Sequence, residues 1–158
     1  MKYRVVKATG NDWEDSMALA YRVFMEFESD IYGPVGTKSF FNLISSQELK
    51  KMFLIGEYVM FVAKDNEKIV GMISLRSGNH ISLLFVDKKY QRNGVGTMLV
   101  KAMVSYLEGN TRYRLMTVNA SPYGIPFYHD YGFEDTDGEI AKDGIIYTPM
   151  VYRFSKKS

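Results

Sequence analysis

The sequence predicts a mixed α/β domain in which a central, mostly antiparallel sheet carries helices on both faces. Three observations predict it. Apolar residues recur at helical spacing in several separated stretches and at strand spacing in others. The strand-like stretches between residues 57 and 86 follow one another across short polar turns. The resulting order is strand, two helices, three strands, helix, strand, helix, then one or two terminal strands, which no purely helical or purely β architecture accommodates.

The opening "MKYRVVKATG" alternates apolar and charged residues and predicts a first strand. Asn11 and Glu14 have capping-box spacing, and Met17, Ala20, Tyr21, Phe24 and Phe27 follow along one helical face. "SDIYGPVGT", Ser29 to Thr37, is rich in turn formers and predicts a loop leading into a second helical region. There Ser45 and Glu48 repeat the capping-box spacing, and Gly56 marks the end. "YVMFVAK", "KIVGMISLR" and "ISLLFV", separated by "DNE" and "SGNH", predict three antiparallel strands. Alternation along the third puts Ile81, Leu83 and Phe85 on one face and His80, Ser82, Leu84 and Val86 on the other.

"YQRNGVGTML", Tyr90 to Leu99, turns strand into helix, with Val95, Leu99, Ala102, Met103 and Tyr106 on one face and an end near Gly109. "YRLMTV" predicts another strand. "SPYGIPFYHDY" predicts a short helix with Ser121 as N-cap and Pro122 in its first turn; Pro126 implies a kink or a late start. "GIIYTPMVYRF" predicts the last strand.

A chain of 158 residues without repeat, low-complexity tract or linker-like stretch predicts a single domain over residues 1–158. Its 46% apolar and 24% charged content is that of a soluble globular protein, and no apolar run approaches the roughly 18 residues of a membrane span. The formal charge of +2 implies neither a nucleic-acid nor a membrane partner. Without cysteine there is no disulfide, thiolate metal site or cysteine nucleophile, and two well-separated histidines predict no metal. With no secretory signal at the amino terminus, a cytoplasmic location is the expectation.

Helix interiors disfavour glycine, so Gly94 and Gly96 at a helix entrance predict close approach of something to the backbone. Unpaired amides in the first turn, together with the helix dipole, make an anion site, and Lys88, Lys89 and Arg92 are near enough in sequence to neutralise charge. Two nucleotide motifs fail here. A dinucleotide fingerprint needs glycine where this chain has Leu99, and a nucleoside-triphosphatase loop needs lysine and a hydroxyl residue where it has Thr97 and Met98.

Leu83 to Leu99, "LLFVDKKYQRNGVGTML", resembles the acyl-coenzyme A motif of the GNAT superfamily of N-acetyltransferases, with Gln91, Gly94 and Gly96 at its fixed positions. Val118 to Glu134, "VNASPYGIPFYHDYGFE", resembles the family's second cofactor motif. The likeness runs from about Glu57 to the end; the first fifty-odd residues match only loosely. It implies a GNAT-like fold and acetyl-coenzyme A as co-substrate, its pyrophosphate resting on the amides of Arg92, Asn93, Gly94, Val95, Gly96 and Thr97. The pantetheine arm would pair with main chain near Phe85 and Val86, and Gln91, Asn119, Ser121 and Tyr128 would complete the cofactor site.

The same likeness implies a chemistry. Tyr128, in the "FY" position, would protonate the departing thiolate, with Tyr131 one helical turn on as fallback. His80, on a strand and able to take a proton near neutral pH, would be the base, set against a plain hairpin-end histidine; His129 is expected at the surface. A backbone amide of the fourth strand near Phe85 would stabilise the carbonyl oxygen. The absence of cysteine favours direct attack with both substrates bound. The acceptor, a primary amine of a small molecule or peptide, would enter along Phe24 to Phe41, where Glu26, Glu28 and Asp30 attract a cation, or are merely a solvated helix end, and Tyr32, Phe40 and Phe41 supply an apolar wall. The rival function is an acyl-coenzyme A-binding sensor without turnover. Monomer and homodimer both stay open.

Overall fold

The computed structural model describes residues 2–110 and 112–155. Its strands are β1 (Tyr3–Lys7), β2 (Val59–Asp65), β3 (Lys68–Arg76), β4 (His80–Val86), β5 (Leu115–Ala120), β6 (Glu134–Asp135), β7 (Ile140–Lys142) and β8 (Ile145–Arg153). Its α-helices are α1 (Trp13–Phe27), α2 (Ser29–Ile44), α3 (Gln47–Leu54), α4 (Val95–Glu108) and α5 (Ile125–Tyr131). The sheet runs in the order β1-β2-β3-β4-β5-β8-β6, with β7 paired to β8 beside it. The described pairings are antiparallel except β4 with β5, so the predicted mixed, mostly antiparallel sheet is present.

Each face of the sheet has its own core. On one, Trp13, Leu19, Phe24, Tyr58, Met60, Met72 and Phe85 meet under α1, α2 and α3. On the other, Ala63, Val70, Ile73, Leu99, Met103, Met116 and Tyr128 meet under α4 and α5. Strand β3 lies between two strands and between two cores, which is why "IVGMISL" is buried almost without interruption.

Several elements depart from the sequence reading. Ser29 to Thr37 is helical rather than a loop: Gly33 (φ 71°, ψ −173°) breaks α2 but Pro34 restarts it, since proline fits a first turn where no amide partner is needed. The cap of the following helix is Ser46, whose hydroxyl accepts from the Leu49 amide at 3.1 Å, one residue beyond the expected Ser45. At the first helix the box is Thr9 with Asp12, not Asn11 with Glu14: the Asp12 carboxylate accepts from the Thr9 amide at 2.8 Å and pairs with Lys64 at 3.2 Å. The buried face of α4 is Val95, Leu99, Val100, Met103, Val104 and Leu107, while Tyr106 stays 40% exposed against Phe61. Helix α5 starts late, at Ile125, with Pro126 harmlessly in its first turn. Ser121 therefore caps the preceding turn, accepting from the Gly124 amide through its hydroxyl, rather than the helix.

The most consequential departure is in β4. Leu75 faces Ile81 but Ser74 faces Leu83, so Ser82 is an extra residue, a bulge that reverses the alternation beyond it. Ile81 joins the α4 core together with Leu84 and Val86, whereas Leu83 and Phe85 join the α1 core. The expected common face of Ile81, Leu83 and Phe85 is thereby divided.

Candidate active site

Parallel strands β4 and β5 pair only where the start of β4 meets the middle of β5, His80 with Thr117 and Ile81 with Val118. Beyond that point they diverge, and a cavity of about 690 Å³ opens between them. It is walled at one end by the turn into α4 and at the other by α1, α2 and the start of β8. The split leaves part of the β4 backbone without a sheet partner. Asp87 donates to the Val70 carbonyl at 2.8 Å, so by ladder alternation Phe85 exchanges its bonds with Met72, and the main-chain groups of Leu84 and Val86 point toward β5. Phe85 therefore differs from expectation: its amide belongs to the ladder, its ring lies in the core edge-on to Phe40, and Leu84 and Val86 hold the amides facing the cleft.

At the α4 end, Gly94 is the N-cap in the left-handed conformation (φ 80°), and Arg92 before it is also left-handed (φ 66°). The first intrahelical bond described runs from Met98 to the Gly94 carbonyl at 3.0 Å, so Val95, Gly96 and Thr97 present the orphan amides of the first turn. All three line the cavity, as do Gln91, Arg92 and Gly94. Asn93 is exposed and outside the lining. The two glycines serve different ends. A Cβ on Gly94 would meet nothing within 4 Å but would be strained by its φ, whereas one on Gly96 would lie 3.1 Å from the Phe127 ring. Gln91 latches the turn, donating to the Val86 carbonyl at 3.0 Å and accepting from the Tyr123 hydroxyl at 3.0 Å. Of the basic residues expected to neutralise an anion, Arg92 alone lines the cavity; Lys88 is paired with Glu26 at 2.6 Å on the surface.

The other end of the cavity is built around Glu28, at the joint where α1 passes into α2. Its backbone amide closes the last turn of α1 on the Phe24 carbonyl, and its own carbonyl accepts from Ile31 and Tyr32. The joint turns its side chain inward, only 8% exposed. Burial raises its pKa, opposed by the Ser121 hydroxyl. Tyr32 and Tyr128 line the same space. Burial and the Glu28 charge raise the pKa of both phenols, so both are protonated at neutral pH. Asn119, inside β5 rather than after it, and Ser121 face the cavity from the opposite wall. Glu26 and Asp30, expected beside Glu28 at the acceptor, point elsewhere, and Phe41 packs outside, edge-on to Tyr21.

The structure thus brings together Tyr128, Phe85, Val86, Gln91, Arg92, Gly94, Val95, Gly96, Thr97, Asn119 and Ser121, and it leaves His80 out. His80 bonds the Thr117 hydroxyl at 2.7 Å, and burial with the nearby Arg76 charge lowers its pKa to about 4. Its neighbours Ile81 and Ser82 line the cavity, but His80 does not. Tyr131 packs with Phe133 and Tyr152, and its phenol, raised by burial to about 12, does not line the cavity. His129 is exposed and bonds Asp135 at 2.7 Å.

Two residues escaped the sequence reading. Tyr123 stacks on Phe27 at 5.0 Å while holding Gln91, bridging the cleft mouth. Tyr58, in the core, reaches Ser74 at 2.6 Å and Ser82 at 2.9 Å and so fixes the hydroxyl at the bulge. Neither tyrosine carries a local signal, because its role depends on partners distant in sequence.

Residues 28–154 match the model of the acetyltransferase (GNAT) domain. The chain belongs to the GNAT acetyltransferase family. Among curated relatives of this GNAT chain, an uncharacterized N-acetyltransferase of Escherichia coli, YafP, is 29% identical over 78% of this chain and 75% of its own length. Another from Bacillus subtilis, YitH, is 34% identical over 61% of this chain, which spans only 33% of that protein. In fold, it is similar to a GCN5-related N-acetyltransferase from Rhodopseudomonas palustris, with a TM-score of 0.81, 20% identity and coverage of 98% and 97% of the two chains. It is also similar to the PaiA N-acetyltransferase of Thermoplasma acidophilum, whose structure contains coenzyme A, with a TM-score of 0.74, 17% identity and coverage of 98% and 100%. No helix among the described residues of the GNAT chain is long and apolar enough to cross a membrane.

Proposed function

We propose that this GNAT protein transfers an acetyl group from acetyl-coenzyme A to a primary amine while both are bound. The observation that carries this reading is the single continuous cleft. It joins an amide-lined helix start suited to a diphosphate, an unpaired strand edge suited to a pantetheine amide chain, and a buried carboxylate suited to an ammonium. The coenzyme supplies the acetyl group already activated as a thioester. The chain's own residues bind the two partners, align them and move protons.

In this reading Val95, Gly96 and Thr97 donate to the diphosphate with Arg92 beside them, and Leu84 and Val86 extend the β4 edge along the arm. Glu28 accepts one proton from the bound ammonium and passes it to solvent, freeing the nitrogen lone pair for attack on the thioester carbon. Its raised pKa makes it a better base than an exposed carboxylate, and it replaces His80 in that role because it lines the cavity. A β4 amide, from Leu84 or Val86, faces the space where the carbonyl oxygen becomes negative. Tyr128 gives its proton to the sulfur as the carbon–sulfur bond breaks and regains one from the nitrogen, so the sum is amide, thiol and one released proton. The chain has no cysteine to carry the acetyl group, which favours attack without an acyl-enzyme.

Tyr128→Phe tests the reading. Turnover, followed as thiol release, falls about 100-fold or more while calorimetric affinity for coenzyme A stays within about threefold. Unchanged turnover removes Tyr128 as the acid.

A further inference from the structure

The end of the cavity away from the α4 turn carries a single charge. Glu28 and Arg92 are the only charged side chains among the described residues lining the whole cavity, and Arg92 sits on the turn at the far end, into α4. Glu28 itself is met by the Ser121 hydroxyl and lies near the Tyr32 and Tyr128 phenols, and the rest of this end is largely apolar: Phe40, stacked on Phe24 at 4.0 Å, with Leu43, Val23 and Ile145. The β7–β8 turn packs against α2 here, so closely that a Cβ on Gly36 would lie 2.6 Å from the Gly144 carbonyl oxygen.

We infer that the acceptor is a monoamine with a flat apolar body, seated with its one ammonium on Glu28 and its body against Phe40, Leu43 and Ile145. This rests on the acetyl-transfer reading for the reaction but adds the substrate class. One buried carboxylate balances one ammonium. A polyamine or lysine-rich peptide would leave further cations against an apolar wall, and an α-amino acid would set its carboxylate beside Glu28 with no cation to meet it; both carry an uncompensated buried charge. A flat ring buries its surface against the Phe40 side at no such cost.

The test compares 2-phenylethylamine with phenylalanine, which adds only the carboxylate, and with spermidine, in thiol-release assays at saturating acetyl-coenzyme A. We expect kcat/KM for 2-phenylethylamine to exceed both others by at least about 100-fold. Calorimetric binding of the same three amines to the protein saturated with coenzyme A should show the same order. Spermidine or phenylalanine within tenfold of 2-phenylethylamine in binding overturns the inference. If the monoamine binds selectively yet no amine releases thiol, the acetyl-transfer reading fails and the inference about the pocket stands. Ser39→Asp, at an exposed position on the cavity wall, adds a second carboxylate without disturbing the core. It should raise kcat/KM for spermidine relative to 2-phenylethylamine about tenfold; no change in that ratio also counts against the inference.

Discussion

A carboxylate that is 8% exposed, with a serine hydroxyl and two phenols for company, holds its proton more tightly than one in water. Two consequences follow for Glu28. If it is the base, kcat/KM rises with pH through its raised pKa, and Glu28→Gln removes that limb and lowers kcat by about 10² to 10⁴; His80→Asn leaves the limb in place. The second concerns stability. A carboxyl whose folded pKa lies above its unfolded one binds more protons folded, so stability declines as pH climbs from the unfolded value to the folded one. Glu28→Gln therefore melts at a higher temperature than the wild type at neutral pH, and the gain vanishes below the ordinary carboxylate range. Calorimetric melts at both pH values check this; equal stability at neutral pH would mean that Glu28 is not strained by burial. Legibility at this scale was uneven. Gly94, Gly96 and Tyr128 stood out because motif position marks them, while Glu28 looked like its exposed neighbours Glu26 and Asp30. What separates them is the joint between α1 and α2, and a joint has no residue signature.

Among the elements, α2 shows how a helix broken in the sequence serves a site. Gly33 interrupts it, Pro34 restarts it, and Gly36 lets it lie against the β7–β8 turn beside the proposed acceptor end. Gly36→Ala inserts a methyl where a backbone oxygen and the Tyr32 Cβ leave no room, costing about 1–3 kcal/mol of stability. It should raise KM for the amine more than for acetyl-coenzyme A, since only the acceptor wall moves; equal effects on both would contradict the division of the cleft. The three-strand meander was legible because β2, β3 and β4 are short apolar runs separated by polar turns of few residues. The α2 helix was not, because glycine and proline at its break signal a loop locally and only packing restores the helix. The bulge at Ser82 was equally hidden: a single extra residue flips every side chain after it, yet serine there breaks no pattern.

For the molecule as a whole, the sheet is a continuous platform with one opening, the divergence of β4 from β5, and both halves of the candidate site are hung from its two sides. The diphosphate turn belongs to the half with the α4 core, whereas Glu28 and the apolar wall belong to the half with the α1 core. A ligand spanning the opening ties the halves together. Coenzyme A at about 100 times its Kd should thus stabilise the fold by about 2.7 kcal/mol, a rise of roughly 5–10 °C in Tm for a chain of this size. No shift at that excess would mean that the opening is not its site. The order of elements from β2 to α5 was legible, the cofactor motifs marking its later part, but after α5 the sequence predicts one or two strands where three are present, because β6 and β7 are only two and three residues long and carry no pattern. The amino-terminal third, whose residues line the acceptor end, carries no such punctuation. In the proposed reading, the orphan amides of the α4 start receive the diphosphate. Titration of the 15N-labelled protein with coenzyme A tests it most directly. The amide resonances of Val95, Gly96 and Thr97 should shift the most and saturate with the calorimetric Kd; coenzyme A that binds while these three remain unmoved would place the diphosphate elsewhere.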